Sequence, residues 1–164
     1  MDEPAFEKAR DRAVRMLAYR GRSVQEVSSR LESAGYSRSM INRVVSWLTE
    51  RDFLNDEAFA REWARNCAVN KLWGNRKITL DLREKGISGD AIERAIAAAR
   101  EEIEEHEALE MLLNKKLKNR TGGKTISLKD KGRLYRTLAG RGFPPPLIYE
   151  ALRTLKEESI DYGE

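Results

Sequence analysis

The sequence has very few of the residues on which most catalytic and metal sites depend. It contains one histidine, His106, and one cysteine, Cys67. A single cysteine excludes an internal disulfide, and a zinc site needs several cysteine or histidine ligands. Catalysis needs titratable groups that converge, so we expect no enzyme activity and no metal or cofactor. We interpret Cys67 as a small core side chain and His106, within the acidic run EEIEEHEALE, as solvated.

Long apolar runs are also missing. No stretch approaches the roughly 20 apolar residues that cross a bilayer, and the opening MDEPAFEKARDR is acidic and mixed, unlike a signal peptide. We therefore expect a cytoplasmic protein. Only four prolines and 7% aromatic residues favour helices over sheets. The 35% of charged residues indicates much surface per residue, as in an elongated chain.

The chain does contain an internal repeat. The segments LESAGYSRSMINRVVSWL, LREKGISGDAIERAIAAA and LAGRGFPPPLIYEALRTL align without a gap. Each begins with leucine, has glycine four residues later and an apolar residue directly after it, and continues with apolar residues at helical spacing. We predict that one helix ends at the glycine in a left-handed conformation and that a second helix starts at a serine or proline. The leading residues are Leu31, Leu82 and Leu138, the glycines are Gly35, Gly86 and Gly142, and the starts are Ser37, Ser88 and the run 144–146.

A further helix upstream of each leading leucine completes a three-helix unit. Ser23 with Glu26 forms a predicted capping box for the middle helix of the first copy. In the second copy we expect Asp56 to cap a helix that buries Phe59 and Cys67. In the third, RTGGKTIS is interpreted as a flexible connector that ends in the cap Ser127. The predicted fold is an all-α, elongated array of three tandem three-helix repeats, over 1–54, 55–105 and 106–164.

Positive charge is unevenly distributed along the chain. The net charge of +4 divides into +2, −2 and +4 over the three repeats, and ten Lys or Arg residues face one Asp between Lys115 and Arg141. This stretch is a candidate anion-binding surface, and the alternative is that it only solvates an exposed face. Its residues are Lys115, Lys116, Lys118, Arg120, Lys124, Lys129, Lys131, Arg133, Arg136 and Arg141. A smaller basic cluster in the first repeat has the same two interpretations and consists of Arg12, Arg15, Arg20 and Arg22.

The remaining motifs are weaker evidence of function. Gly123-Lys124-Thr125 is similar to a phosphate-binding loop, but it lacks the first glycine and a preceding strand, so an ATPase is rejected. The two helices joined at each glycine have helix-turn-helix spacing. Because the second helices use most of their faces for core packing, we do not expect sequence-specific reading of the major groove. Trp73, beside Arg76 and Lys77, either stacks on a base or packs in its turn.

Four segments in order give the chain a specific resemblance. LAYRGRSVQEVSSRL, FLNDEAFAREWARN, GNRKITLDLREKGI and LYRTLAGRGFPPPLIYEAL together cover most of residues 9–156. The chain resembles the RecX family of bacterial recombination regulators. The most recognisable segment has an Asn-Asp pair followed by Phe-Ala-Arg, at Asn55, Asp56, Phe59 and Ala60. One departure is the proline triplet after Phe143, where the family more often has a polar cap.

The resemblance implies a partner and a role. RecX-like proteins are expected to bind the RecA filament on single-stranded DNA, to lie in its helical groove, and to restrain its recombinase, ATPase and coprotease activities, with a role in DNA repair and the SOS response. The motif at Asn55 has two interpretations. It supplies a helix cap and a core anchor, or it contacts RecA directly. Two alternatives stay open: a nonspecific single-stranded DNA-binding protein, and an interaction scaffold without nucleic-acid contact. We expect a monomer.

Overall fold

The structure is a computed structural model that describes residues 2–119 and 125–157. Within these residues, nine α-helices follow one another, and a π-helical turn, Asn66–Asn70, extends the fourth. Two strands of two residues each pair in parallel. The elements are α1 Glu3–Tyr19, α2 Val24–Ser33, α3 Arg38–Glu50, α4 Asp56–Arg65, α5 Asn75–Glu84, α6 Gly89–Glu102, α7 Glu105–Lys118, β1 Thr125–Ile126, α8 Leu128–Gly140, α9 Pro145–Arg153 and β2 Lys156–Glu157. The predicted all-α fold of three tandem three-helix repeats is confirmed.

The turn after the middle helix of each repeat has the predicted geometry. All three glycines have positive φ, at 90°, 77° and 90°. The residue after each glycine donates its backbone N–H to the carbonyl of the leading leucine, over 3.2 Å from Tyr36, 3.1 Å from Ile87 and 3.3 Å from Phe143. This is the bond that closes a helix at a left-handed residue, and it directs the following side chain inward. The leading leucines are fully buried.

The predicted helix starts are also present. Ser23 accepts a hydrogen bond from the backbone N–H of Glu26, whose carboxylate accepts the N–H of Ser23 in return. The Ser37 and Ser88 hydroxyls accept N–H groups from the first turns of α3 and α6. Ser127 does the same for α8. Local sequence therefore sets these helix boundaries.

The chain forms two compact units, which we call unit 1 and unit 2. Unit 1 comprises the described residues up to Trp63 together with Asp81–Ala95, and in it α3 packs against α1 and α2. Its core includes Phe6, Val27, Leu31, Val44 and Leu48. Unit 2 comprises Ala64–Leu80 and the described residues from Ile96 onward, and in it α7 and α8 both pack against α9. Its buried side chains include Cys67, as predicted, with Leu109, Leu138, Phe143 and Ile148.

Two local predictions are wrong. The cap of α4 is Asn55, whose side-chain oxygen accepts the N–H of Ala58 at 3.1 Å, while the Asp56 carboxylate accepts the N–H of Val24 at 2.9 Å. The residue before the helix holds the cap position, so Asp56 is free to face another element. The predicted flexible connector is wrong at Thr125–Ile126, which form β1 with Ile126 only 1% exposed, whereas its cap Ser127 is present. Residues 120–124 of the connector lie outside the described residues.

Candidate functional site

The first group of predicted basic residues lies on the last turn of α7. Lys115, Lys116 and Lys118 are all exposed there. In residues 2–119 and 125–157, no carboxylate lies within ion-pair range of their ammonium groups. A helix C-terminus favours positive charge, which supports these lysines on α7 without a side-chain partner. The α7 lysines are therefore available to an anionic partner.

A second group of predicted cations lies on α8. Lys129, Arg133 and Arg136 are exposed and spaced four and three residues apart, so they share one stripe of the helix. Arg133 lies 3.9 Å from Asp130, and Lys131 is half-buried. We call Lys129, Arg133 and Arg136 the α8 stripe. Two further predicted residues, Arg120 and Lys124, fall outside the described residues.

Unit 2 brings the start of α5 against the glycine turn between α8 and α9. The N–H of Gly74 donates to the Arg141 carbonyl at 2.8 Å, and the N–H of Arg76 donates to the Gly142 carbonyl at 3.2 Å. A Cβ added at Gly142 would lie 2.4 Å from the backbone nitrogen of Lys77, so only glycine permits this approach. The predicted Arg141 thus gains two basic neighbours, Arg76 and Lys77.

The ring of Trp73 lies among cations in the same unit. Lys77 Nζ is 4.2 Å and Lys71 Nζ 4.8 Å from the ring centroid. The Trp73 carbonyl accepts a hydrogen bond from Arg100, whose Nε donates to the Asn75 side chain. Burial lowers the pKa of Arg100, and the nearby Glu105 opposes that shift. These contacts hold the ring in its turn, which favours packing over base stacking.

Sequence reasoning missed an aromatic pair in unit 2. The rings of Tyr135, on α8, and Tyr149, on α9, lie 5.2 Å apart between centroids at 37°. Tyr149 is 63% exposed. Each tyrosine lies beside core positions of its helix, Leu134 with Leu138 and Ile148 with Leu152, so amphipathic spacing assigns both rings to the outer face. That spacing shows each ring as exposed but does not show that they meet.

Two residues of the smaller basic cluster, Arg20 and Arg22, make contacts within the protein. Arg20 pairs with Glu26 at 3.0 Å, and Arg22 Nε donates to the Met16 carbonyl at 3.4 Å near the end of α1. Burial and the charge of Arg20 lower the pKa of Arg22. Arg12 and Arg15 are exposed on α1. Of the four residues in this cluster, only Arg12 and Arg15 match the expectation of an exposed basic surface.

The Asn-Asp-Phe segment is built into unit 1. Phe59 is 8% exposed and stacks on Trp63 with ring centroids 5.6 Å apart, and Ala60 is fully buried. The Trp63 indole N–H donates to Asp81 at 2.6 Å. With Asn55 capping α4 and Asp56 bound to Val24, the helix cap and core anchor are both present.

The bond from Asp56 recurs one repeat later. Val24 is the first residue of α2, and Asp56 is the first residue of α4. In unit 2 the N–H of Asn75, the first residue of α5, donates to the carboxylate of Glu105, the first residue of α7, at 2.8 Å. We call this contact the repeat joint: a carboxylate on the first residue of α4 or α7 satisfies a free N–H at the start of the preceding middle helix, α2 or α5. Glu105, in the acidic run around His106, therefore has a structural role.

Two absences concern the described residues alone. None of their helices combines the length and apolar character that a membrane crossing needs. Those residues also lack any group of three histidine, cysteine or acidic side chains placed to hold a metal ion.

The three repeats, their identical glycine turns and their repeat joints define a class of all-helical tandem-repeat proteins, and comparisons assign the family. Models of the first, second and third three-helix domains of RecX match residues 9–48, 55–96 and 102–152. The chain belongs to the RecX family of regulatory proteins.

Individual relatives agree along nearly the whole chain. Regulatory protein RecX of Mycolicibacterium smegmatis is 30% identical over 147 residues, which cover 89% of this chain and 78% of the relative. Regulatory protein RecX of Corynebacterium efficiens is 31% identical and is covered over 79% of its length, against 98% of this chain. The crystal structure of RecX from Lactobacillus salivarius superposes with a TM-score of 0.72 at 21% identity, covering 90% of this chain and 94% of that one. The solved structure supports the fold.

Proposed function

We propose that the protein binds RecA filaments on single-stranded DNA and restrains their recombinase, ATPase and coprotease activities. Membership of the RecX family carries this proposal, since relatives named regulatory protein RecX match nearly all of the chain. The protein acts as a cytoplasmic monomer without catalysis or a cofactor of its own. Its functional modules are the repeats 1–54, 55–105 and 106–164.

The basic residues of unit 2 support an anionic partner. The α7 lysines are exposed without ion pairs among the described residues, and the α8 stripe adds three cations. Phosphates of DNA and an acidic groove of a protein both attract such a surface, and the attraction weakens with salt. A filament of RecA on DNA offers both.

RecA's DNA-stimulated ATP hydrolysis tests the proposal. Purified protein added at an equimolar ratio or below is expected to lower the hydrolysis rate. An unchanged rate at tenfold excess refutes the proposal. Order of addition separates the runner-up, a nonspecific single-stranded DNA-binding protein: inhibition by that route disappears when RecA is assembled first and no free DNA remains.

Charge reversal tests whether the α7 lysines bind DNA. Replacing Lys115, Lys116 and Lys118 by Glu is expected to weaken DNA binding and to make its salt dependence shallower. The comparison variant reverses Arg12 and Arg15, the exposed pair on α1, which tests the smaller cluster in the same assay. A pure interaction scaffold predicts that neither reversal changes DNA affinity.

A further inference from the structure

The tyrosine pair of unit 2 joins an exposed ring, Tyr149, to a half-buried one, Tyr135. Tyr149 is 63% exposed on α9, and its ring lies against that of Tyr135 on α8. Desolvation and the neighbouring Tyr149 phenol both raise the pKa of Tyr135, so the two phenols form one joined feature. The pair presents ring surface to solvent at the outer face of two helices.

Basic residues adjoin this pair in the structure and in the sequence. The charge of Arg76 acts on Tyr135, and the Arg76 backbone is bonded to the Gly142 carbonyl in the turn that joins α8 to α9. Arg141 precedes that turn, and its guanidinium donates to the Lys71 carbonyl at 3.3 Å. Arg136 follows Tyr135 directly on α8. In the part of the chain that the structure describes, none of these three guanidinium groups has a carboxylate within ion-pair range.

We propose that Tyr149, Tyr135 and Arg76 form a stacking site for an unpaired base of a single-stranded nucleic acid, with Arg136 and Arg141 placed for its phosphates. Aromatic rings bind bases through their faces without reading sequence, and arginine adds stacking and charge. Bases within a duplex are already stacked, so the site selects single strands. This inference rests on the proposed function, in that it assigns part of the filament contact to the DNA itself.

Charge decides between a nucleic acid and a protein as the occupant. Tyr and Arg are also common in protein interfaces, where opposite charges usually accompany them. Here the charge that acts on Tyr135 is that of Arg76, and Glu150, which adjoins Tyr149 in sequence, lines the groove between α7 and α9 with His106 and Glu110. A single-stranded nucleic acid carries both phosphates and unpaired bases, so it matches both the positive charge and the aromatic rings of this surface.

The test uses the full-length protein and fluorescein-labelled oligo(dT), with fluorescence anisotropy as the readout and no RecA present. Tyr149→Ala is expected to weaken single-strand binding by about 5-fold to 100-fold, the range for loss of one base stack. Tyr149→Phe keeps the ring and is expected to bind within about twofold of the wild type. The matched control is Tyr19→Ala, which removes a tyrosine that is 86% exposed in unit 1. Circular dichroism establishes that each variant is folded.

Three further outcomes bear on the proposal. Quenching of added tryptophan emission in Tyr149→Trp on titration with oligo(dT) supports stacking. Equal affinities for Tyr149→Ala and Tyr149→Phe overturn it, as does an equal loss for a matched duplex. Intact DNA binding by Tyr149→Ala together with weaker RecA binding also overturns it and assigns the surface to a protein. Because RecA is absent from the DNA assay, this inference can fail while inhibition of RecA persists.

Discussion

Removal of the Asp56 carboxylate tests the repeat joint quantitatively. The carboxylate accepts the N–H of Val24 at 2.9 Å in a partly buried position, where the N–H has no partner within α2. A hydrogen bond to a charged group contributes about 1.5–3 kcal/mol, and loss of a helix cap costs about 0.5–2 kcal/mol. We expect Asp56→Ala to lower the free energy of unfolding by about 2 kcal/mol. For a chain of this size that corresponds to about 4–8 °C in Tm.

The matched control is Glu57→Ala. Glu57 also places a negative charge in the first turn of α4, but it pairs with Arg94 at an exposed position, where solvent screening leaves such a pair little effect on stability. Urea denaturation followed by circular dichroism measures the two losses, and hydrogen exchange of the Val24 amide reports the bond itself. We expect faster exchange in Asp56→Ala alone. Equal destabilisation by both variants, with Val24 still protected, would refute the proposed role of the joint.

Two further predictions concern pH and a glycine turn. The pKa of Glu26 is lowered because hydrogen bonds from the Arg20 side chain and the Ser23 backbone outweigh the opposing effect of burial. Its ionised form therefore stabilises the fold at neutral pH, and that stability is lost as pH falls below 4.5 through the folded pKa. In urea titrations across pH, Glu26→Gln should be less stable than the wild type at pH 7 and should lose less free energy of unfolding on acidification. Gly142→Ala should cost more than Gly35→Ala in thermal melting, because both have φ of 90° but only the first Cβ meets backbone. Equal losses would show that φ alone matters.

The repeat architecture could be predicted because its signals are local. A glycine that must adopt positive φ, a serine that precedes a helix, and apolar residues at helical spacing each act within a few residues of themselves. The turns at Gly35, Gly86 and Gly142 and the box at Ser23 therefore have the predicted geometry.

The contacts that shape the site could not be predicted, because they join distant residues. Asn55 and Asp56 are both good caps, and only the position of Val24 shows that the second one serves another helix. Gly142 is explained by its turn, so nothing in the sequence indicates that it also admits the start of α5. Tyr135 and Tyr149 likewise meet only after α8 and α9 have packed.

The three glycine turns, though alike in backbone, differ in how much room surrounds them. A Cβ at Gly86 would meet the side chain of Gln25, and one at Gly142 would meet Lys77, whereas nothing lies within 4 Å at Gly35. Exposed turns without neighbours are where proteins accept insertions. A fluorophore attached at the exposed Ala34, which keeps Gly35 and the cap Ser37 in place, would therefore leave the packing of α2 and α3 intact. That turn is the natural attachment point for following this protein by single-molecule microscopy.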